Sequence, residues 1–314
     1  MYSHRHRLGN LWARAGFTLA LCTLPLGSPV AAQDDSSKGA IAPLIAPRSM
    51  NIVLSTSDVP KVKEFYGEIL ALKPMTPLQL PGGLEMTRYQ VGTSEIKFLI
   101  PADSVPRQTG GVREANGIRL LTFFFSDQAA LSARFAEHGR PAPEFSDPSS
   151  SSHRVAFVDD PDGNRIELVV LAQGADEAML DRVDIGLTVA DVEKSRAFYG
   201  EFLGLEELDP VDVPALEGKM YSYRHGTTKV KFWSFGPGLP NHSGLWQDAN
   251  GIRYIQYIVS DLDAVDAYAR AKEANIHTPI FNLGAMARIM FIADPDGIIN
   301  EFVGRAKRDR RAHV

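Results

Sequence analysis

FYGEILAL, residues 65–72, returns as FYGEFLGL at 198–205. Outward from this stretch, EIKF (95–98) matches KVKF (229–232), EANGIR (114–119) matches DANGIR (248–253), and DPDG (160–163) matches DPDG (294–297). The first pair is offset by 133 residues and the other three by 134. Unrelated motifs have no reason to keep step, so a constant offset with one inserted residue indicates a duplicated unit. The spacing predicts two homologous domains, 48–172 and 182–306, joined by a linker at 173–181. A flexible Ser-, Gly-, Ala- and Pro-containing leader (33–47) precedes them, and a basic tail (307–314) follows.

Within the first repeat a strand is expected over 51–57. Asp58 and Pro60 supply helix-start chemistry, and Val62, Phe65, Tyr66, Ile69 and Leu70 follow at helical spacing. Strands are expected at 84–91 and 95–100, turning at Gly92, then at 120–125. A second helix over 127–138 and strands at 153–158 and 165–171 complete the repeat. The order is β-α-β-β-β twice per domain, an α+β architecture.

Composition limits the function classes. At 44% hydrophobic and 23% charged residues the chain reads as globular. Arg5, Arg7 and Arg14 precede an apolar run from Ala15 to Leu26, and Val30-Ala31-Ala32 stands before Gln33. A basic start, a short apolar core and small residues at the cleavage point read as a signal peptide over residues 1–32, hence export to the periplasm or medium. Its removal takes three Arg and no acid, leaving 30 basic against 38 acidic residues and a net charge of −8. That balance excludes the basic footprint of a nucleic-acid binder and gives no basis for membrane binding after signal removal. The only cysteine, Cys22, falls inside the signal peptide, where bulky Leu21 argues against lipidation. The mature chain therefore has no thiolate chemistry. No Ser-His-Asp signature, phosphate loop or dinucleotide fingerprint is present.

A strand ending in a small-x-Asp turn, a helix carrying Phe-Tyr, and a late DPDG-x-x-x-Glu strand occur in both halves. This pattern resembles the vicinal-oxygen-chelate superfamily of glyoxalases, bleomycin-resistance proteins and extradiol dioxygenases. The resemblance implies tandem domains, each of two βαβββ modules whose curved mixed sheets enclose a cavity, the two domains pairing with each other. It also implies metal-ligand positions: seven residues before the turn Asp, on the strand before the long connection, and on the strand after DPDG. In the first domain these are Asn51, Leu120, Lys97 and Glu167, and in the second Asp184, Tyr254, Lys231 and Glu301. Only the two Glu agree with the family's ligands, and a protonated lysine has no lone pair for a cation. The expectation is no metal and no cofactor.

What remains is a repeated Lys–Glu pair, read as Lys97 with Glu167 and Lys231 with Glu301. Such a pair either only satisfies a cavity or orients a ligand while the Glu moves a proton. The second domain has more polar and aromatic equipment, with Gln256 beside Tyr254 on one strand face, Trp233 beside Lys231, and Tyr223 and His225 alternating on a third strand. The working site is accordingly expected around Lys231, Glu301 and Tyr254, with Lys97, Glu167, Asn51, Asp184, Gln256, Trp233, Tyr223 and His225 lining the cavities. The reading is an exported protein holding a small organic molecule without the family metal. Its rivals are an enzyme, either a metal-independent lyase or isomerase or a glyoxalase/dioxygenase with rearranged ligands, and a structural subunit serving protein contacts only.

Overall fold

The computed structural model describes residues 40–146, 153–176 and 179–306. The expected signal peptide, Cys22 and the basic tail lie outside the described residues.

Four modules follow one another. The first comprises β1 (Ile45–Ser55), α1 (Val59–Val62) prolonged by a π-helical turn (Lys63–Ile69), β2 (Lys73–Leu80), β3 (Leu84–Val91) and β4 (Ser94–Leu99). The second has β5 (Gly117–Phe125), α2 (Gln128–Glu137), β6 (His153–Asp159) and β7 (Arg165–Leu171), one strand fewer than expected among the described residues. The third has β8 (Val183–Thr188), α3 (Val192–Arg196) with its π-helical turn (Ala197–Phe202), β9 (Glu206–Val213), β10 (Gly218–His225) and β11 (Thr228–Trp233). The fourth has β12 (Gly251–Val259), α4 (Leu262–Ala271), β13 (Ile276–Leu283), β14 (Ala287–Ala293) and β15 (Ile299–Arg305).

The repeated motifs are structural devices. Each turn Asp caps a helix: Asp58, Asp127, Asp191 and Asp261 accept from the backbone N–H of Lys61, Ala130, Lys194 and Ala264, satisfying donors that a helix start leaves orphaned. The first Asp of DPDG closes its turn by accepting from two backbone N–H groups, those of Asp162 and Asn164 in repeat one and of Asp296 and Ile298 in repeat two. Its other oxygen accepts from the Phe-Tyr tyrosine of the same repeat, Tyr66 to Asp160 at 2.8 Å and Tyr199 to Asp294 at 3.1 Å. The two motifs with the clearest repetition thus meet beneath the sheets and carry no chemistry at the inner faces.

Each repeat does not close on itself. Sheet I runs β13-β14-β15-β12-β1-β4-β3-β2 and sheet II runs β6-β7-β5-β8-β11-β10-β9. Module one therefore joins module four, and module two joins module three. The joints are antiparallel, with Asn51 opposite Gln256 in sheet I and Thr122 opposite Asp184 in sheet II. This corrects the expectation of a self-contained sheet pair in each repeat. An isolated module leaves the edge of its opening strand unpaired, and here each is satisfied by a module of the other repeat. One shared core, including Ile52, Tyr66, Phe98, Leu121, Phe123, Ile185, Tyr199, Phe232 and Phe302, fills the space between the convex faces and the helices.

The EANGIR and DANGIR segments build the seam between repeats. Asn116 donates its N–H to Pro240 and accepts from that of His242, while Asn250 donates to Pro106 and accepts from Gln108. Gly251, at φ +137, lies where a β-carbon would stand 3.0 Å from the Gln108 carbonyl oxygen, so the loop of the first repeat can approach only a glycine there. Arg119 and Arg253 are both buried at this seam. Arg253 reaches across to the Gln108 side chain and donates to the Leu245 and His242 carbonyls of its own repeat. Arg119 donates to the Gln108 carbonyl of its own repeat and lies 3.5 Å from the His242 ring across the seam. Burial lowers both guanidinium pKa values to about 10. Among the described residues no helix is long and apolar enough to cross a membrane.

Candidate functional site

Each sheet curls around a concave face, called here cleft I and cleft II. In β11, Val230 and Phe232 belong to the shared core, so alternation turns Lys231 to the opposite, inner face. The same holds for Lys97 between Ile96 and Phe98 in β4.

On the floor of cleft I the Lys97 ammonium donates to the Gln256 side-chain oxygen at 2.5 Å. Asn51 donates to that same oxygen at 3.0 Å, and Gln256 in turn donates to a Glu301 carboxylate oxygen at 2.6 Å. Lys97 also lies 3.4 Å from Glu95, which is paired with Arg88 at 3.1 Å. Burial pushes the Glu301 carboxyl up to about 7, against the opposing pull of the Gln256 hydrogen bond and the Lys97 charge. Burial lowers the Lys97 ammonium, opposed by Glu95 and Glu301. Tyr254 stands near Glu301, its phenol pushed well up by burial and by that carboxylate. The walls are apolar: Val53, Met86, Leu99, Ile289, Phe291 and Ile299 cluster with Tyr254.

Cleft II has the same positions filled differently. Lys231 donates to Thr122 at 2.8 Å and pairs with Glu167 at 2.9 Å, with side chains only 2% and 0% exposed. Thr122 donates to the same Glu167 oxygen at 2.6 Å. Asp184, opposite Thr122, accepts from the Lys229 backbone N–H as Asn51 does from that of Glu95, and lies 3.8 Å from Arg182. Trp233 lies across Gly186, where a β-carbon would stand 2.8 Å from its ring, and bonds Thr188 through the indole N–H.

Several expectations change here. Lys231 pairs with Glu167, and the network of Lys97 leads to Glu301, because the sheets are exchanged between repeats. Lys231 and Glu301 therefore lie in different clefts. The third floor position is Thr122 and Gln256, two residues beyond Leu120 and Tyr254. Asp58 caps its helix seven residues after Asn51, but Asp127 does so only five after Thr122. β5 runs one residue less beyond Thr122 than β1 does beyond Asn51, and the connection to its helix is one residue shorter, which together account for the difference. Leu120 and Tyr254 stay on the inner faces but pack into the apolar walls. Tyr223 and His225 are outside both clefts. Ser222 is opposite Lys231 in the β10–β11 ladder, so their parity faces the helices, where Tyr223 stacks on Phe232 and His225 bonds the Ala46 carbonyl. Trp233, Gln256, Asn51, Lys97 and Glu167 lie on inner faces as expected. Thr122, Glu95 and Arg88 enter the floors without having been singled out. Counting cross-strand neighbours of Lys97 and Glu167 would have found Arg88 and Thr122.

Against this geometry the family model can be placed. Residues 49–168 and 180–302 match the model described as Glyoxalase/Bleomycin resistance protein/Dioxygenase superfamily. The chain belongs to this superfamily. Among solved structures, glyoxalase I from Zea mays is similar at 21% identity, covering 82% of this chain and 92% of that one, with a TM-score of 0.63. A point mutant of the same maize enzyme gives 0.64 at equal coverage and identity. A Bacillus subtilis protein with a provisional dioxygenase assignment gives 0.57 at 14% identity, covering 83% of this chain and 85% of that one. Such identities carry the fold only. No curated protein sequence matches the chain. The divalent cation that superfamily membership implies does not fit either floor. In cleft II the Glu167 carboxylate is bonded to the Lys231 ammonium, and in cleft I the Lys97 ammonium occupies the Gln256 oxygen and sits beside Glu95, so a cation would meet a positive charge at each floor. Among the described residues no three His, Cys, Asp or Glu side chains gather to hold a metal.

Proposed function

We propose that the protein is an exported member of the superfamily that holds a small organic molecule in cleft I without a metal ion. The observation that carries this reading is the contrast between equivalent mouths. In cleft II, His153, Phe124, Val155, Val169 and Leu171 are buried, and Met179 and Leu180 of the inter-repeat connection pack over the last four. Their counterparts in cleft I include Ala287, Ile258 and Val303, half-buried, and Arg305, exposed. The β2–β3 and β13–β14 hairpins, from opposite edges of sheet I, meet at their tips, with Pro81 Cγ 3.3 Å from where a Gly284 β-carbon would stand. An apolar rim of Leu78, Leu80, Leu84 and Leu283 leads from there towards the polar floor. Such a concave apolar site with a few convergent polar groups suits a small-molecule ligand.

An anionic naphthalene dye such as anilinonaphthalene sulfonate tests this reading. It should bind with one-to-one stoichiometry by fluorescence titration, and Ile258→Trp should weaken binding at least tenfold while Phe124→Trp leaves it unchanged. The reverse order of effects would remove cleft I from the proposal. A second reading, a metal-independent lyase or isomerase, draws on Glu301: a buried carboxyl held at about 7 can accept and return a proton at neutral pH. Export rests on the Val30-Ala31-Ala32 ending and its preceding apolar run. Intact mass of protein from a secreting host should correspond to cleavage after Ala32, and a retained Met1 would count against export.

A further inference from the structure

We infer that the Lys97 and Lys231 ammonium groups are built-in replacements for the superfamily's divalent cation, so that each cleft carries a resident ammonium at that point and a latent metal site. Three observations converge on it. First, the two lysines are 134 residues apart, the offset of the duplication, and both turn inward. Second, each ammonium already bonds the side chains that converge on the floor: Lys97 reaches Gln256 at 2.5 Å, and Lys231 reaches Thr122 at 2.8 Å and Glu167 at 2.9 Å. A lysine Nζ and a coordinated cation make the same demand on those oxygens, three or four acceptors around one positive point, and one excludes the other. Third, the charges on each floor balance without a metal: Lys231 faces Glu167 in cleft II, and Lys97 and Arg88 face Glu95 and Glu301 in cleft I. Asp184 lies 3.8 Å from Arg182.

Lys231 is too deeply buried and too firmly paired to swing aside for an incoming ion. An ammonium about 4 Å away lowers the affinity of even a singly charged cation by roughly a thousandfold at an effective dielectric of 20. In cleft I, where Lys97 is held by a neutral amide and by Glu95, its charge remains available to a ligand oxygen that is anionic or carbonyl in character. The lysine thereby polarises that oxygen less than a divalent ion would.

The inference stands apart from ligand binding and is tested by metal alone. Wild-type protein exposed to Mn2+, Ni2+ and Zn2+ and desalted should retain no stoichiometric metal and show no shift in Tm. Lys97→Glu removes the ammonium and adds a carboxylate beside Glu95, Glu301, Gln256 and Asn51, an all-oxygen set suited to Mn2+. It should bind Mn2+ at least tenfold more tightly than wild type by calorimetry, with a Tm that rises by several degrees on Mn2+ addition. Lys231→Glu should behave likewise with Glu167 and Thr122. About one tightly held divalent ion per wild-type chain overturns the inference, as do folded Lys→Glu variants indifferent to Mn2+. If both variants fail to fold even with Mn2+, the wild-type metal content decides alone.

Discussion

Replacing Lys231 by methionine is expected to lower the free energy of unfolding by about 3–5 kcal/mol, because it strands the fully buried Glu167 carboxylate. Both partners are out of solvent and Thr122 bonds the same carboxylate oxygen, so no water replaces the ammonium without opening the sheet. Lys97→Met should cost much less, about 1–2 kcal/mol. Its direct partners are the Gln256 amide and Glu95, whose side chain is 24% exposed and keeps Arg88 as a counter-charge. Chemical denaturation of the two variants beside wild type measures the difference. The dye-binding defect should fall in the other order, confined to Lys97→Met. Equal losses of stability would mean that the two clefts are energetically alike, and the distinction between a structural and a working cleft would have to be abandoned.

Stability is expected to fall as pH rises from 5 to 8. Burial raises Glu301 from 4.5 to about 7, Asp294 from 3.8 to about 7 and Asp160 from 3.8 to about 6. Between the unfolded and folded values the native protein holds protons that the unfolded chain has released, so each unit of pH in that window favours unfolding. The contribution is intact below about pH 4 and gone once pH exceeds the folded value. For Glu301 alone the span corresponds to roughly 3 kcal/mol. Glu301→Gln keeps an oxygen for the Gln256 amide but has nothing to ionise. Its unfolding free energy should approach that of wild type at pH 5 and exceed it at pH 8, by up to about 3 kcal/mol. Parallel stability curves for variant and wild type across this range would show that Glu301 is solvated in the native state.

Much of the molecule was legible in the sequence because duplication prints the same information twice. The offset located Lys97 with Lys231 and Glu167 with Glu301, and alternation placed each pair on one face. Three things were not legible. Which module pairs with which depends on edges that are chemically alike in both repeats, so Lys231 was matched to the glutamate of its own repeat. The row within a face depends on strand and loop lengths; counting back from the helix cap therefore reached Leu120 and Tyr254 instead of Thr122 and Gln256. Parity alone also does not say which face is inward. Tyr223 and His225 were placed in a cavity because their strand was read without its neighbour, whereas Ser222 opposite Lys231 fixes the faces.

The exchanged pairing of the modules also dictates an order of assembly. The ladder that closes sheet I joins Asn51 to Gln256, 205 residues apart, and loop closure over such a separation is slow compared with local contacts. The joint of sheet II pairs Thr122 with Asp184, only 62 residues apart, so the middle of the chain has everything it needs first. Module one, although synthesised earliest, must keep the apolar edge of β1 unsatisfied until β12 has been made. During that interval the open edge is the chain's main route to intermolecular pairing. A protein arranged in this way finishes folding only from its complete chain, with its first strand waiting for its last module.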